Sequence, residues 1–583
     1  MIEKIGFCSN NKKLKNYLSY LNYVVEIKYS IQMPKIKLAF LMLFIITQAS
    51  AQYTRQDTLR GTLSPIRSCY DVTFYDLKLK VISHSQSIEG SNTIHYKVIT
   101  DFKKMQVDLF ANMQITSILQ NEKPLKFTRE GNAIFISFTE NQKKGKHYSI
   151  KIDYRGKPQI ARNPPWDGGF TWKKDANGKD WIVVSCEGTG ASLWFPNKDH
   201  LSDEPDSVRF SCAVPKGLMF VSNGNLRSTK DLKKSTQPSD NKALEGVKEM
   251  PYTEYEWFVS YPINNYNITV NIADYANFKD TYTAQDGTNL DLDYYVLKPN
   301  LEKAKNHFKQ VKPMLACYEK YFGKYPFPKD GYALVETPYW GMEHQSAVAY
   351  GNNYKNNEFG FDFIIIHESG HEYFGNSLSC NDQAEMWIHE SFTTYMEALY
   401  VECTQSYEKS IQYLEKQKTS IRNKSPMIGI FNVNYSHPDS DIYYKGTWML
   451  HTLRNVVNDD KIWFETLKGL ATKFKVSNLT TEQIINYFNQ NTGKNLTSVF
   501  DMYLKTNHIP TLQYQLATEG NNVELRYRWK DAEDNMPIKA GFGLQNYQTI
   551  TPTKDWQKMS FPKVEDKEFK IATDLFYIKT EKI

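Results

Sequence analysis

Two histidines and a glutamate, in Ile366-His367-Glu368-Ser369-Gly370-His371, are the residues whose types and spacing point most directly to chemistry. On a helix, side chains four positions apart lie one turn above each other on the same face. His367 and His371 can therefore offer two imidazole nitrogens to one metal ion. A catalytic zinc takes three protein ligands and keeps one position open. Glu368, between the two histidines, is set to take a proton from a water at that position. With 12 His in 583 residues such a pair also arises by chance, so a third ligand has to decide the matter.

The elements around the pair supply one. The apolar run Ile364-Ile365-Ile366 leads into the first histidine as a buried helix would. Gly375-Asn376 is expected to end that helix, because both residues tolerate left-handed backbone. Asp382, followed three residues later by Glu385, has the pattern of a capping box opening a second helix. Met386, Phe392, Met396 and Leu399 carry helical spacing forward. Glu390 then lies about two turns into the second helix, nineteen residues after His371, and packing of the two helices brings it to the same ion. A glutamate on a helix is ordinarily a solvated charge; its distance from the histidine pair favours the ligand role.

His-Glu-x-x-His, eighteen intervening residues and a Glu resemble the signature of the aminopeptidase N family of zinc metallopeptidases, a gluzincin family. Phe374-Gly375-Asn376 and Trp387-Ile388-His389-Glu390-Ser391-Phe392 fit the same pattern, with His389 and Ser391 replacing the usual Asn and Gly. The resemblance implies one zinc per chain and further site residues. Tyr443-Tyr444-Lys445-Gly446 matches the family's Tyr-x-Lys-Gly, which makes Tyr443 the donor to the oxyanion, with Tyr444 the competitor if the register slips. Trp340-Gly341-Met342-Glu343-His344 resembles Gly-x-Met-Glu-Asn on an edge strand. Glu343 would bind the substrate amine, and the backbone around Gly341 and Met342 would pair with the extended peptide. Trp340 and His344 depart from the family pattern, so the side-chain preference of relatives does not transfer, and His344 is not needed as a ligand. Ser185-Cys186-Glu187-Gly188 carries a looser match, which sets Glu187 as a second carboxylate for the amine against an ordinary surface charge.

Composition frames the rest. A chain of 583 residues with 41% hydrophobic and 23% charged residues is globular and expected to divide into several domains. A net charge of +6 with no dense basic block argues against nucleic acid as the main partner. The seven cysteines form no Cys-x-x-Cys pair, and disulfides are left unassigned. A basic start at Met33-Pro34-Lys35, an apolar run to Ile46 and Ala49-Ser50-Ala51 read as a signal peptide over 33–51. Residues 1–32 then read as an extension of the gene model. Export to the periplasm or the outside follows, and no transmembrane anchor is expected.

The expected fold is α+β and multidomain. An N-terminal antiparallel β domain spans 52–287, with period-two alternation at Tyr70, Val72, Phe74, then Leu77, Leu79, Val81, and again at Tyr266, Ile268, Val270, Ile272. The polar stretch 225–248 reads as a surface loop. A thermolysin-like, mainly α catalytic domain spans 288–508, and a small C-terminal β-sandwich spans 509–583, with no helical-repeat domain after it. The function expected is a zinc aminopeptidase that releases the amino-terminal residue of peptides with a water activated by the metal. An epoxide hydrolase or an endopeptidase on the same zinc site, and a scaffold that has lost its chemistry, are the alternatives. Preferred residue, physiological peptide and oligomeric state are not legible.

Overall fold

The strand β1 (Tyr70–Ile82) shows how the chain uses its alternation. Tyr70 and Val72 point into the core, then Tyr75, Leu77, Leu79 and Val81. The change from even to odd positions falls at a register shift between Val72 and Phe74. One extra residue in a bulge flips every side chain that follows. The two short strands read from the sequence are thus one long strand, and Phe74 belongs to the other face. The computed structural model describes residues 53–232, 251–434, 440–531 and 536–583. The signal-like segment 33–51 and residues 1–32 lie outside the described residues.

β1 is central in an eight-stranded sheet whose edge is β2 (Asn225–Leu232). β2 was expected to be loop; it pairs along Tyr252–Val259 with almost every side chain in water. An edge strand solvated on both faces has no apolar alternation for a sequence reading to find. The remainder of that polar stretch, from residue 233, lies outside the described residues. The alternation at Tyr266–Ile272 also yields less strand than expected: Asn265–Asn267 is a 3-10 turn and only Asn271–Ala273 pairs.

From Gln56 to Ile583 the chain forms one compact unit. Its two hydrophobic cores meet at a five-stranded sheet of Tyr275–Thr283, Asn289–Leu297, Tyr332–Glu336, Val348–Tyr350 and, at the edge, β3 (Gly341–Met342). Tyr294, Val296, Leu334, Val348 and Tyr350 face the helical core, while Tyr295, Leu297, Ala333, Val335 and Ala349 face the core of the N-terminal strands. The period of two lets one sheet serve as the wall of both. The core on its helical side is built by α1 (Val311–Phe322), α2 (Phe363–Gly370), which packs on the sheet itself, α3 (Trp387–Thr404), α4 (Tyr407–Lys418) and α5 (Asp441–Val457). A disulfide between Cys317 of α1 and Cys403 of α3 cross-links two of these helices, a pairing the sequence did not reveal. Beyond α6 (Thr497–Lys505) the chain returns to strands, in one four-stranded and one three-stranded sheet. Among the described residues no helix is long and apolar enough to cross a membrane.

Candidate active site

Asp362 opens α2, its carboxylate accepting from the Ile364 amide at 3.1 Å. The helix is shorter than expected. It ends at Gly370, and His371 is its C-cap rather than an interior residue, with Gly375 four positions further on at φ +129°. α3 also begins later than expected, at Trp387. The Asp382 carboxylate does accept from the Ala384 amide, but Glu385 turns away to accept from Thr481, so there is no capping box. A 3-10 turn over Gln383–Glu385 takes up the difference, and Glu390 lies in the first turn of α3.

These two helix ends bring His367, His371 and Glu390 together, with one donor atom from each lying within 4.8 Å of the others. Nδ1 of His367 donates to Glu397 at 2.7 Å, and Nδ1 of His371 donates to the Phe374 carbonyl at 2.9 Å. In the neutral rings each Nε2 then carries the lone pair, and the two Nε2 atoms are 3.2 Å apart. Oε2 of Glu390 lies 3.6 and 3.4 Å from them, buried and with no hydrogen bond of its own. Burial alone would depress His367, but Glu390 and Glu397 outweigh it and raise its pKa well above the ordinary value. His371 is likewise raised by Glu390 against the cost of burial, and Glu390 itself is held low by the imidazoles. Three inward lone pairs in a place that favours positive charge are the donor set of a zinc site, and the residues fit that ion.

Glu368 points from α2 toward β3, so close to Gly341 that a Cβ there would collide with its carboxylate. Burial raises its pKa. Glu343, just past β3, is buried and accepts from the Tyr266 hydroxyl at 3.0 Å. Burial, and after it the Glu187 carboxylate, raises its pKa well above the usual range. Glu187 is pushed up to about 8 by burial and by Glu390 and Glu368. Gly341 and Met342 pair with Tyr350 and Ala349 on one side, and β3 is the sheet's edge on the other. Tyr443 stacks against His367 with ring centroids 5.9 Å apart and lines the cleft with Glu390 and Glu187. Burial holds its hydroxyl well above the ordinary tyrosine value, so it stays a donor. The cleft has about 1090 Å³ of space open to solvent, between the N-terminal strands and the helices.

The departures from the expected motifs have local reasons. The Ser391 hydroxyl donates to the Ile442 carbonyl at 2.7 Å and fills the space left by Gly446, where a Cβ would strike it. His389 accepts from the Cys380 amide at 3.0 Å. His344 is fully buried, pushed down to about 3, and is not among the three clustered donors. Two partners of the site carried no motif to find them. Glu397 holds His367 and is held in turn by Tyr413 and Gln417. Tyr266 holds Glu343.

Residues 306–503 match the peptidase family M1 domain, and residues 72–241 match the peptidase M1 N-terminal domain. Aminopeptidase N of Lactococcus lactis is 24% identical over 228 residues, 35% of this chain and 27% of that protein. A probable aminopeptidase 1 of Sulfurisphaera tokodaii is 20% identical over 508 residues, 82% of this chain and 59% of that protein. The chain thus spans less than two thirds of the length of these curated relatives. An M1 zinc metallopeptidase of Deinococcus radiodurans superposes with a TM-score of 0.62 at 16% identity, covering 78% of this chain and 98% of that one. A mutant of it bound to a Tyr-Ser-Ala substrate superposes with a TM-score of 0.63 at 17% identity, covering 78% and 99%.

Proposed function

The chain belongs to peptidase family M1, and from that premise we propose that it is a zinc-dependent aminopeptidase removing the amino-terminal residue of peptides. The observation that carries the reading is the convergence of His367, His371 and Glu390 beside a buried carboxylate, Glu368, and an edge strand ending in a second one, Glu343. His367, His371 and Glu390 hold one zinc per chain, which when bound supplies Lewis acidity toward the scissile carbonyl and water.

The other residues divide the work. Glu343, oriented by Tyr266, and Glu187 bind the substrate ammonium, whose charge in turn favours their ionised form. The position of Glu343 just past β3 limits the number of residues that fit on that side of the scissile bond, which supports an exopeptidase over an endopeptidase. The outer edge of β3 pairs with the extended peptide. Glu368 takes the proton of the attacking water and passes it to the departing amine, a role worth about 10²–10⁴ in rate. Tyr443 donates to the oxyanion from the opposite side. Export rests on the segment over 33–51, and the Cys317–Cys403 disulfide supports an oxidising compartment.

Glu368→Gln tests the reading. Zinc should remain bound at one ion per chain while turnover of short peptides with a free amine falls by about 10²–10⁴. Undiminished turnover would exclude the mechanism. Acetylating the substrate's amine should abolish cleavage by the unaltered enzyme, and persistent cleavage would point to an endopeptidase.

A further inference from the structure

Two indoles at the rim of the cleft stand in water. Trp166 is 66% exposed and Trp340 is 49% exposed, with ring centroids 5.7 Å apart in an edge-on arrangement. Trp340 also meets Phe363 edge-on at 5.7 Å. Phe363 is the first residue of α2, one turn before His367. Trp166 lines the same cleft as Glu390 and Tyr443. The loop that carries it is pinned on both sides. The Asp167 carboxylate accepts from the amides of Arg162 and Asn163, each at 2.6 Å, and the Gly168 amide donates to Thr189, two residues from Glu187, at 3.0 Å. Large aromatic surface left open on a preorganised frame beside a cleft is the mark of a recognition surface.

The direction of β3 says which part of a peptide would meet it. Glu343 anchors the amine at one end. Gly341 lies against Glu368, which fixes the level of the scissile bond. Trp340 follows on the side away from Glu343, about 10 Å from it along an extended strand. A peptide paired with this edge runs its first residue past Met342 and Gly341, and its second residue over the indoles.

We infer that Trp340, Trp166 and Phe363 form an aromatic shelf for the side chain of the substrate's second residue, selecting peptides with a bulky apolar or aromatic group there. This rests on the aminopeptidase reading and names the substrate class for the same site. The shelf acts on the leaving part of the peptide, so its effect is separable from the binding of the first residue.

The test uses the zinc-loaded full chain and tripeptides X-Phe-Ala, X-Gly-Phe and X-Gly-Ala, with X the amino-terminal residue cleaved fastest. The expected kcat/KM for X-Phe-Ala exceeds that for X-Gly-Ala by about tenfold. Trp340→Ala and Trp166→Ala, on separate loops, should each bring that ratio to about threefold or below, while Trp340→Phe keeps most of it. A ratio near one in the unaltered enzyme overturns the inference, as does an equal fall for both peptides in both alanine variants. A larger gain from phenylalanine at the third position overturns the assigned register. If the unaltered enzyme cleaves no peptide at its amino terminus, the aminopeptidase reading fails and the shelf fails with it.

Discussion

Glu343, buried, and Glu187, half-buried on the wall of the cleft, concentrate the chemistry of recognition in two carboxyls. Burial, then Glu390 and Glu368, push Glu187 from its ordinary 4.5 up to about 8. The sign of the consequence is fixed: below its raised pKa the group carries a proton and cannot pair with an ammonium. The KM for free-amine peptides should therefore rise as pH falls, and Glu187→Gln should flatten that limb. A KM profile in Glu187→Gln that matches the unaltered enzyme would remove Glu187 from the amine site. Glu343→Gln should raise KM more than Glu187→Gln, because Glu343 alone has Tyr266 orienting it. At this scale the sequence was most legible where chemistry forces a spacing. His367, His371 and Glu368 are fixed by the helical turn, whereas Tyr266 reaches Glu343 across 77 positions of chain, a link only the folded structure makes.

The helix α3 supplies Glu390 in its first turn and Glu397 two turns later on the same face. Glu390 completes the donor set, and Glu397 fixes the His367 ring by accepting from Nδ1, itself braced by Tyr413 and Gln417 of α4. Removing such an outer partner frees the imidazole to rotate and lowers its basicity. Glu397→Ala should weaken zinc binding by about 10–100-fold, read by competition with a chromophoric chelator. Unchanged affinity would mean that α3 orients His367 by packing alone. The seven-residue interval from Glu390 to Glu397 was visible in the sequence, but one carboxylate two turns from another is common on any helix. Helix ends were the least legible. Asp382 and Glu385 have the letters of a capping box, yet Glu385 spends its carboxylate on Thr481, and α3 starts four residues later than a cap at Asp382 implies. β2 escaped for the opposite reason, because an edge strand in water shows no alternation.

Across the whole molecule, the helices and the strands after α6 share one core. Leu512, Leu525, Trp529, Ile538 and Phe576 belong to the same buried cluster as Trp448, Leu453 and Tyr503. The link runs through α5, the helix that presents Tyr443 to the cleft. Trp448 lies 6.3 Å from the ring of Tyr577, and Thr452 accepts from the Tyr577 amide at 3.0 Å. From α6, the Tyr503 hydroxyl donates to the Tyr577 carbonyl at 2.7 Å. Ending the chain after His508 would open Trp448 and Tyr503 to water and leave Thr452 without its donor. Each large side chain so exposed costs about 1.5–3 kcal/mol. The shortened protein should melt several degrees below the full chain, and protease should cut first in α5. Because α5 positions Tyr443, peptide turnover should fall along with stability even though every zinc ligand and Glu368 remain. A shortened chain with an unchanged melting temperature would show that the last strands fold as a separate body, and that α5 is held by the helices alone.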